Sequence, residues 1–173
     1  MEWYLSIVKA HPITSAMVQF AVLGTLGETA SRWLAARRLF APFGARGTGL
    51  RMLGWAFLAV CIKYAFTGFT AFVDGLIAHG LLPELGAFGK AFAVSLAMNL
   101  QFGPFLVLAH RLIDNAIDGV PNWKNLDKGL MSLLWFWVPA HTVTFLLPTD
   151  FRIGLAAVWS LALGIILGWY NRK

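Results

Sequence analysis

The stretch LRMLGWAFLAVCIKYAFTGFTAFV, residues 50–73, decides the class of structure to which this chain belongs. It is almost continuously apolar, and Arg51 and Lys63 are its only charged residues. A helix needs about 20 largely apolar residues to cross the hydrocarbon core of a bilayer, so this run is long enough. Unpaired backbone groups are costly in lipid, which favours a membrane-spanning helix over an open strand.

Four further apolar runs flank this stretch and predict an all-α, polytopic transmembrane bundle. The five expected spans cover residues 13–35, 50–73, 88–112, 129–147 and 153–170. Together they make residues 1–173 a single integral membrane domain. A four-span arrangement, with one run re-entrant or interfacial, is the alternative. Residues 3–8 place their apolar side chains on one side of a helix, which predicts a short interfacial helix before the first span.

The composition agrees with a membrane protein. Hydrophobic residues make up 58% of the chain and charged residues 13%, with a mean hydropathy of +0.68. Soluble domains carry about a quarter charged residues. The net charge of +6 does not indicate nucleic-acid binding, because the basic residues lie between apolar runs and form no continuous soluble face. Membrane lipids are therefore the expected surroundings.

The distribution of lysine and arginine predicts the orientation. Most basic residues flank the expected loops at 39–49 and 113–128 or lie at the C-terminus. Five spans then place the N-terminus outside and the C-terminus in the cytoplasm or matrix. Trp33, Trp55, Trp123 and Trp169 fall near the same inner interface. The first residues do not form a signal peptide, and the lack of a basic, serine-rich leader favours a bacterial inner membrane over an organellar one.

Charged residues inside the spans are candidates for function, because charge is costly in lipid. Glu28 lies in the first span and Lys63 near the middle of the second. Counted from their shared loop, their depths differ by roughly 8 Å. We expect them either to pair, fixing the helix register, or to line one water-filled path.

Uncharged polar residues give further pore-lining candidates in the third and fourth spans. These are Asn99, Gln101, His141 and Thr144. Each could instead serve only to hydrogen-bond neighbouring helices. Pro104 and Pro139 are expected to kink the two helices.

Other features predict packing or solvation rather than chemistry. Gly164 and Gly168 form a GxxxG motif that supports close helix packing and, more weakly, dimerisation. His110 and Arg111 are expected to extend to the headgroups. The aspartates, at span ends or in loops, are expected to be solvated: Asp74, Asp114, Asp118, Asp127 and Asp150. The chain has no metal-binding or nucleotide-binding motif and no assembled catalytic set, so we expect no enzyme activity, metal or cofactor.

The order of several motifs resembles the Mpv17/PMP22 family of small peroxisomal and mitochondrial inner-membrane proteins, which has bacterial relatives. The similarity covers nearly the whole chain. Its residues are Pro12, Gly27 followed by the acid Glu28, Asp74, Lys90, Pro104, Trp137, Phe145, Pro148 and Arg152. The chain departs from the family where Lys63-Tyr64 replaces Gly-Pro, where Met98-Asn99 replaces Asp-Gln, and where His141 and Thr144 replace amides.

The resemblance implies a membrane channel or a passage for metabolites. We therefore expect a passage for small solutes or ions, with the solute unknown and a homo-oligomer compatible with the small size. The alternatives are a structural or adaptor membrane protein and, less favoured, a lipid-modifying enzyme.

Overall fold

The computed structural model describes residues 2–172, and the regular structure in this range is entirely helical. The elements are α1 (Glu2–Ala10), α2 (Pro12–Ala36), α3 (Gly44–Ala78), α4 (Ala87–Gln101), α5 (Gly103–Asp118), α6 (Leu126–Ser132), a π-helical turn (Leu133–Trp137), α7 (Val138–Leu146) and α8 (Thr149–Tyr170). The predicted all-α class is confirmed.

Several helices are suited to a membrane. Within residues 2–172, three continuous segments are long and apolar enough to cross one: α3, Leu126–Leu146 and α8. The pair α4 and α5, bent by 47°, qualifies as a fourth if it forms one span. Helix α2 has 25 residues but is interrupted by Glu28 and Arg32 and does not belong to this set. Three to four helices are thus compatible with a multi-pass membrane protein, and a fifth span is not confirmed.

Helix α3 begins at Gly44, six residues before the expected start of the second span, so the predicted loop at 39–49 is wrong over its second half. Gly44 has a φ of +62°, which glycine adopts without a steric penalty and which turns the chain into the helix. Phe43 holds this turn in place. Its ring packs under the guanidinium groups of Arg51 at 3.9 Å and Arg32 at 4.4 Å.

The kink predicted near Pro104 is visible in the backbone, and a π-helical turn precedes Pro139. The break at Phe102, two residues before Pro104, separates α4 from α5 and confirms the expected kink. Pro139 lies in the first turn of α7, directly after the π-helical turn Leu133–Trp137. A proline has no backbone N–H for the preceding turn, and the wider π turn accommodates that loss.

Helix α2 packs closely against α3 and α8, while α4 packs against α7. Glycines make the contact between α2 and α8 possible. A Cβ atom at Gly164 would overlap the Gly27 carbonyl group, and one at Gly168 would lie 2.6 Å from the Ser31 Cα. The GxxxG motif of α8 therefore serves packing within the chain.

The bundle has two distinct ends. We call the end formed by residues 37–43, residues 119–125 and the end of α8 the basic end. The opposite end, formed by residues 79–86 and Leu147-Pro148, is the hairpin end. The expected spans leave only residues 148–152 between the last two helices, and the structure shortens this connection to two residues. Helix α1 packs at this end, where Tyr4 donates a hydrogen bond to Gln19 of α2 at 3.2 Å.

The apolar core occupies the half of the bundle nearer the hairpin end. Its largest members come from five helices: Phe20, Ile62, Phe66, Val73, Val94, Met98, Phe145 and Ile153. Val73 and Val94 are each 1% exposed, so this half is tightly filled.

Candidate functional site in the bundle interior

Glu28, on α2, is the centre of a polar network inside the bundle. Its Oε1 accepts a hydrogen bond from the Trp55 indole N–H at 2.6 Å, and its Oε2 accepts one from Arg51 Nε at 3.0 Å. The Arg51 side chain is only 2% exposed. A carboxylate and a guanidinium in this setting neutralise each other, which lowers the cost of burying both.

The network continues to α5. His110 Nε2 lies 3.0 Å from Glu28 Oε1, and its Nδ1 lies 3.8 Å from an oxygen of Asp114. Arg51 also donates a hydrogen bond to Asp118 at 2.7 Å. His110, Asp114 and Asp118 recur every four residues and therefore share one face of α5, which is turned toward α2 and α3. The prediction that His110 extends to the headgroups is wrong, and Asp114 and Asp118 are network members rather than freely solvated groups.

The predicted pairing of Glu28 with Lys63 is wrong, because Arg51 and Trp55 occupy the carboxylate. Lys63 is half-buried and makes no ion pair among residues 2–172. The early start of α3 explains the difference. Lys63 lies 8 residues beyond Trp55 on α3, so it is roughly 12 Å deeper in the bundle than the Trp55 contact with Glu28, at 1.5 Å per residue.

A second polar cluster joins α4 to α7. Asn99 Nδ2 lies 3.1 Å from His141 Nδ1 and donates a hydrogen bond to the Ser95 carbonyl at 2.8 Å. The Ser95 hydroxyl donates a hydrogen bond to the Val138 carbonyl at 2.8 Å. The imidazole of His141 stacks on Trp137, with ring centroids 4.9 Å apart. These contacts orient His141, which lines the cavity described next.

A cavity of about 380 Å³ connects the two clusters. Glu28, His110 and Asp114 line it toward the basic end, while Asn99 and His141 line it deeper inside. Trp55 and Phe66, both on its wall, are 11 residues apart on α3, so the cavity extends over roughly 16 Å. The exposed Arg32 also lines it, which places its mouth at the basic end.

The other predicted pore residues lie away from this cavity. Lys63, Gln101 and Thr144 are not on its wall. Gln101 is exposed on the outer surface beside the α4–α5 break. Thr144 is fully buried and accepts a hydrogen bond from the Trp159 indole N–H at 3.1 Å. These three residues therefore contribute to packing or to the outer surface.

Several of the residues that carry the family resemblance contact one another. Lys90 and Asp74 form a salt bridge of 2.5 Å between α4 and α3, so Asp74 has a partner. The Arg152 guanidinium lies 5.5 Å from the Phe145 ring centroid, and Pro148 directly precedes α8. Pro12 begins α2. These contacts lie mainly toward the hairpin end and hold neighbouring helices together.

Three of the cavity groups have the spacing of metal ligands. Glu28, His110 and Asp114 each offer one ligand atom, and these atoms lie within 4.8 Å of one another. However, Glu28 already accepts hydrogen bonds from Arg51 and Trp55. The Arg51 charge would oppose a cation at the same carboxylate, so the geometry favours an internal ion-pair network over a metal centre.

Sequence reasoning missed Arg51, Trp55 and His110 as site residues, because each was assigned to an interface or a loop flank. The spacing of these residues in the sequence could have indicated the site. Arg51 and Trp55 are four residues apart on one helix, as are His110 and Asp114 on another, so each pair shares one helix face.

Trp55 provides a test of this network. Replacing Trp55 with phenylalanine keeps an aromatic ring but removes the indole donor to Glu28. We expect the free energy of unfolding to fall by about 1.5–3 kcal/mol, as for other hydrogen bonds to charged groups, measured by thermal unfolding in detergent and followed by circular dichroism. The matched control is Trp123→Phe, because Trp123 is 49% exposed. Equal effects of the two variants would contradict the assignment.

The fold and site define an all-helical protein with several helices able to span a membrane and a polar cavity entering its interior from one end. Searches with family models, against curated proteins and against solved structures find no match to this chain.

Proposed function

We propose that this protein is a five-span membrane protein, a bacterial inner-membrane member of the Mpv17/PMP22 family, that provides a passage for small solutes or ions. The single observation that carries the proposal is the cavity lined by Glu28, His110, Asn99 and His141. Ionisable and amide groups around open space within an apolar bundle are typical of solute pathways.

Helix α2 is the proposed fifth span. Its 25 residues extend over roughly 37 Å, more than the hydrocarbon thickness of about 30 Å. It packs between α3 and α8, and its charged Glu28 is satisfied inside the bundle. Five spans place the basic end in the cytoplasm by the positive-inside rule.

In this orientation the cavity opens toward the cytoplasm. Carboxylates and arginines near the mouth provide charged groups of both signs, while Asn99 and His141 offer hydrogen-bonding groups deeper inside. Beyond them the apolar core closes the bundle, where the Phe66 and Phe145 rings contact each other in a tilted arrangement with centroids 4.9 Å apart. On this proposal the observed conformation is an inward-open form, and passage requires these aromatic rings to move apart.

Asn99 tests the passage without removing a charge. We expect Asn99→Leu to lower solute or ion flux about tenfold, equivalent to the loss of one polar contact worth about 1.4 kcal/mol. The measurement is conductance in planar bilayers together with solute efflux from proteoliposomes. Gln101→Leu is the matched control, because this nearby amide is exposed on the outer surface. Flux that is equally reduced in both variants would contradict the assigned pathway.

A structural or adaptor role is the second candidate. It is favoured by the Glu28 network, whose charges are already paired within the chain. Folded, inserted wild-type protein with neither conductance nor solute efflux would support this role over a passage.

A further inference from the structure

A groove separate from the cavity lies at the basic end, between the last turns of α2 and α8. It is a shallow, open groove of about 790 Å³, and three arginines line it: Arg37, Arg38 and Arg172. Among the described residues, its wall contains no carboxylate. The groove therefore concentrates positive charge, with no carboxylate from residues 2–172 on its wall.

The groove arginines have N–H donors that form no hydrogen bond with the part of the chain that the structure describes. Arg172 Nε is buried and has no hydrogen-bond partner among residues 2–172, and its guanidinium is held 3.4 Å from the Trp169 ring centroid. Arg37 and Arg38 are exposed and form no salt bridge with any described residue. Guanidinium groups present a fork of N–H donors that matches the oxygens of a phosphate.

The remaining walls of the groove are apolar. Leu34 and Ile165 lie next to the arginines, with Ala30 one turn further along α2. Trp33 and Leu39 complete the wall, and the Trp33 indole N–H already donates a hydrogen bond to the Phe40 carbonyl at 2.6 Å. A free anion would need only the arginines. A ligand with both a phosphate and a hydrocarbon chain would use the arginines and the apolar wall together.

From this combination we propose that the groove binds an anionic phospholipid of the inner leaflet. The phosphate pairs with Arg37, Arg38 and Arg172, and an acyl chain lies along Leu34 and Ile165. The site is independent of the proposed passage, because its residues do not line the cavity. Basic pockets between helices at the cytoplasmic face recognise such headgroups.

The test uses the purified full-length protein in detergent, titrated with phosphatidylglycerol or phosphatidylcholine and followed by native mass spectrometry. We expect one retained phosphatidylglycerol per chain and about thirtyfold weaker binding for the double variant Arg37→Gln/Arg38→Gln. The matched control is Arg46→Gln/Lys124→Gln, which removes two exposed charges from the same end but outside the groove. This control is expected to bind as the wild type does.

Three results would overturn the proposal. Equal losses in the two double variants would show that general charge attracts the lipid. Equal binding of phosphatidylcholine would show that the anionic headgroup is not recognised. Full displacement of lipid by inorganic phosphate would show a site for free phosphate. An unchanged melting temperature of both variants without lipid would establish that the groove variant is folded.

Discussion

Replacing Arg51 with methionine is expected to lower the free energy of unfolding by about 3–5 kcal/mol, the usual cost of removing one partner from a buried ion pair. The reason is that Arg51 is 2% exposed and binds both Glu28 and Asp118. Without it, Glu28 remains buried with only its Trp55 and His110 contacts. The measurement is reversible unfolding in detergent micelles, followed by circular dichroism.

Two further variants show whether the loss of stability comes from the broken ion pair or from the removal of a long side chain. The double variant Glu28→Gln/Arg51→Met should be less destabilised than the sum of its single variants, because no buried charge is left unpaired. Asp118 can be solvated in that variant, since its side chain is 46% exposed. Lys63→Met should change stability little. A larger loss at Lys63 than at Arg51 would contradict the observed pairing and restore the one predicted from sequence.

Replacing Gly164 with alanine is expected to destabilise the protein by about 3 kcal/mol, the upper part of the usual range for overpacking. The new methyl group would overlap the Gly27 carbonyl. Backbone atoms of a helix cannot rotate aside as a side chain can, so α2 and α8 would have to separate. The change in melting temperature of the purified protein measures this effect.

Gly75 provides the matched control for Gly164. It also lies inside a long helix, but a Cβ atom there would meet nothing within 4 Å. Gly75→Ala is expected to be neutral or to stabilise by about 0.5–1 kcal/mol, because alanine favours the helix interior. If both substitutions were tolerated equally, the close contact between α2 and α8 would be incorrect.

The sequence by itself determined the helical class and most helix positions. Long apolar runs leave no other way to satisfy the backbone in lipid, so α2, α4–α5, α6–α7 and α8 lie close to their predicted ranges. Pro104 predicted the break between α4 and α5, because a proline removes a hydrogen bond from its own helix whatever the tertiary structure. The short connection expected at residues 148–152 predicted a hairpin, because so short a connection permits only antiparallel neighbours.

Only the tertiary structure decided which polar residues meet. Hydropathy gives the depth of a residue but not the rotation of its helix, and one residue of shift turns a side chain by about 100°. The sequence predicted Lys63 as the partner of Glu28. Because α3 starts at Gly44, Arg51 lies at the same depth as Glu28 and pairs with it instead. Helix rotation also separates Asn99 from Gln101. The two residues are two positions apart on α4, so Asn99 lines the cavity while Gln101 faces outward.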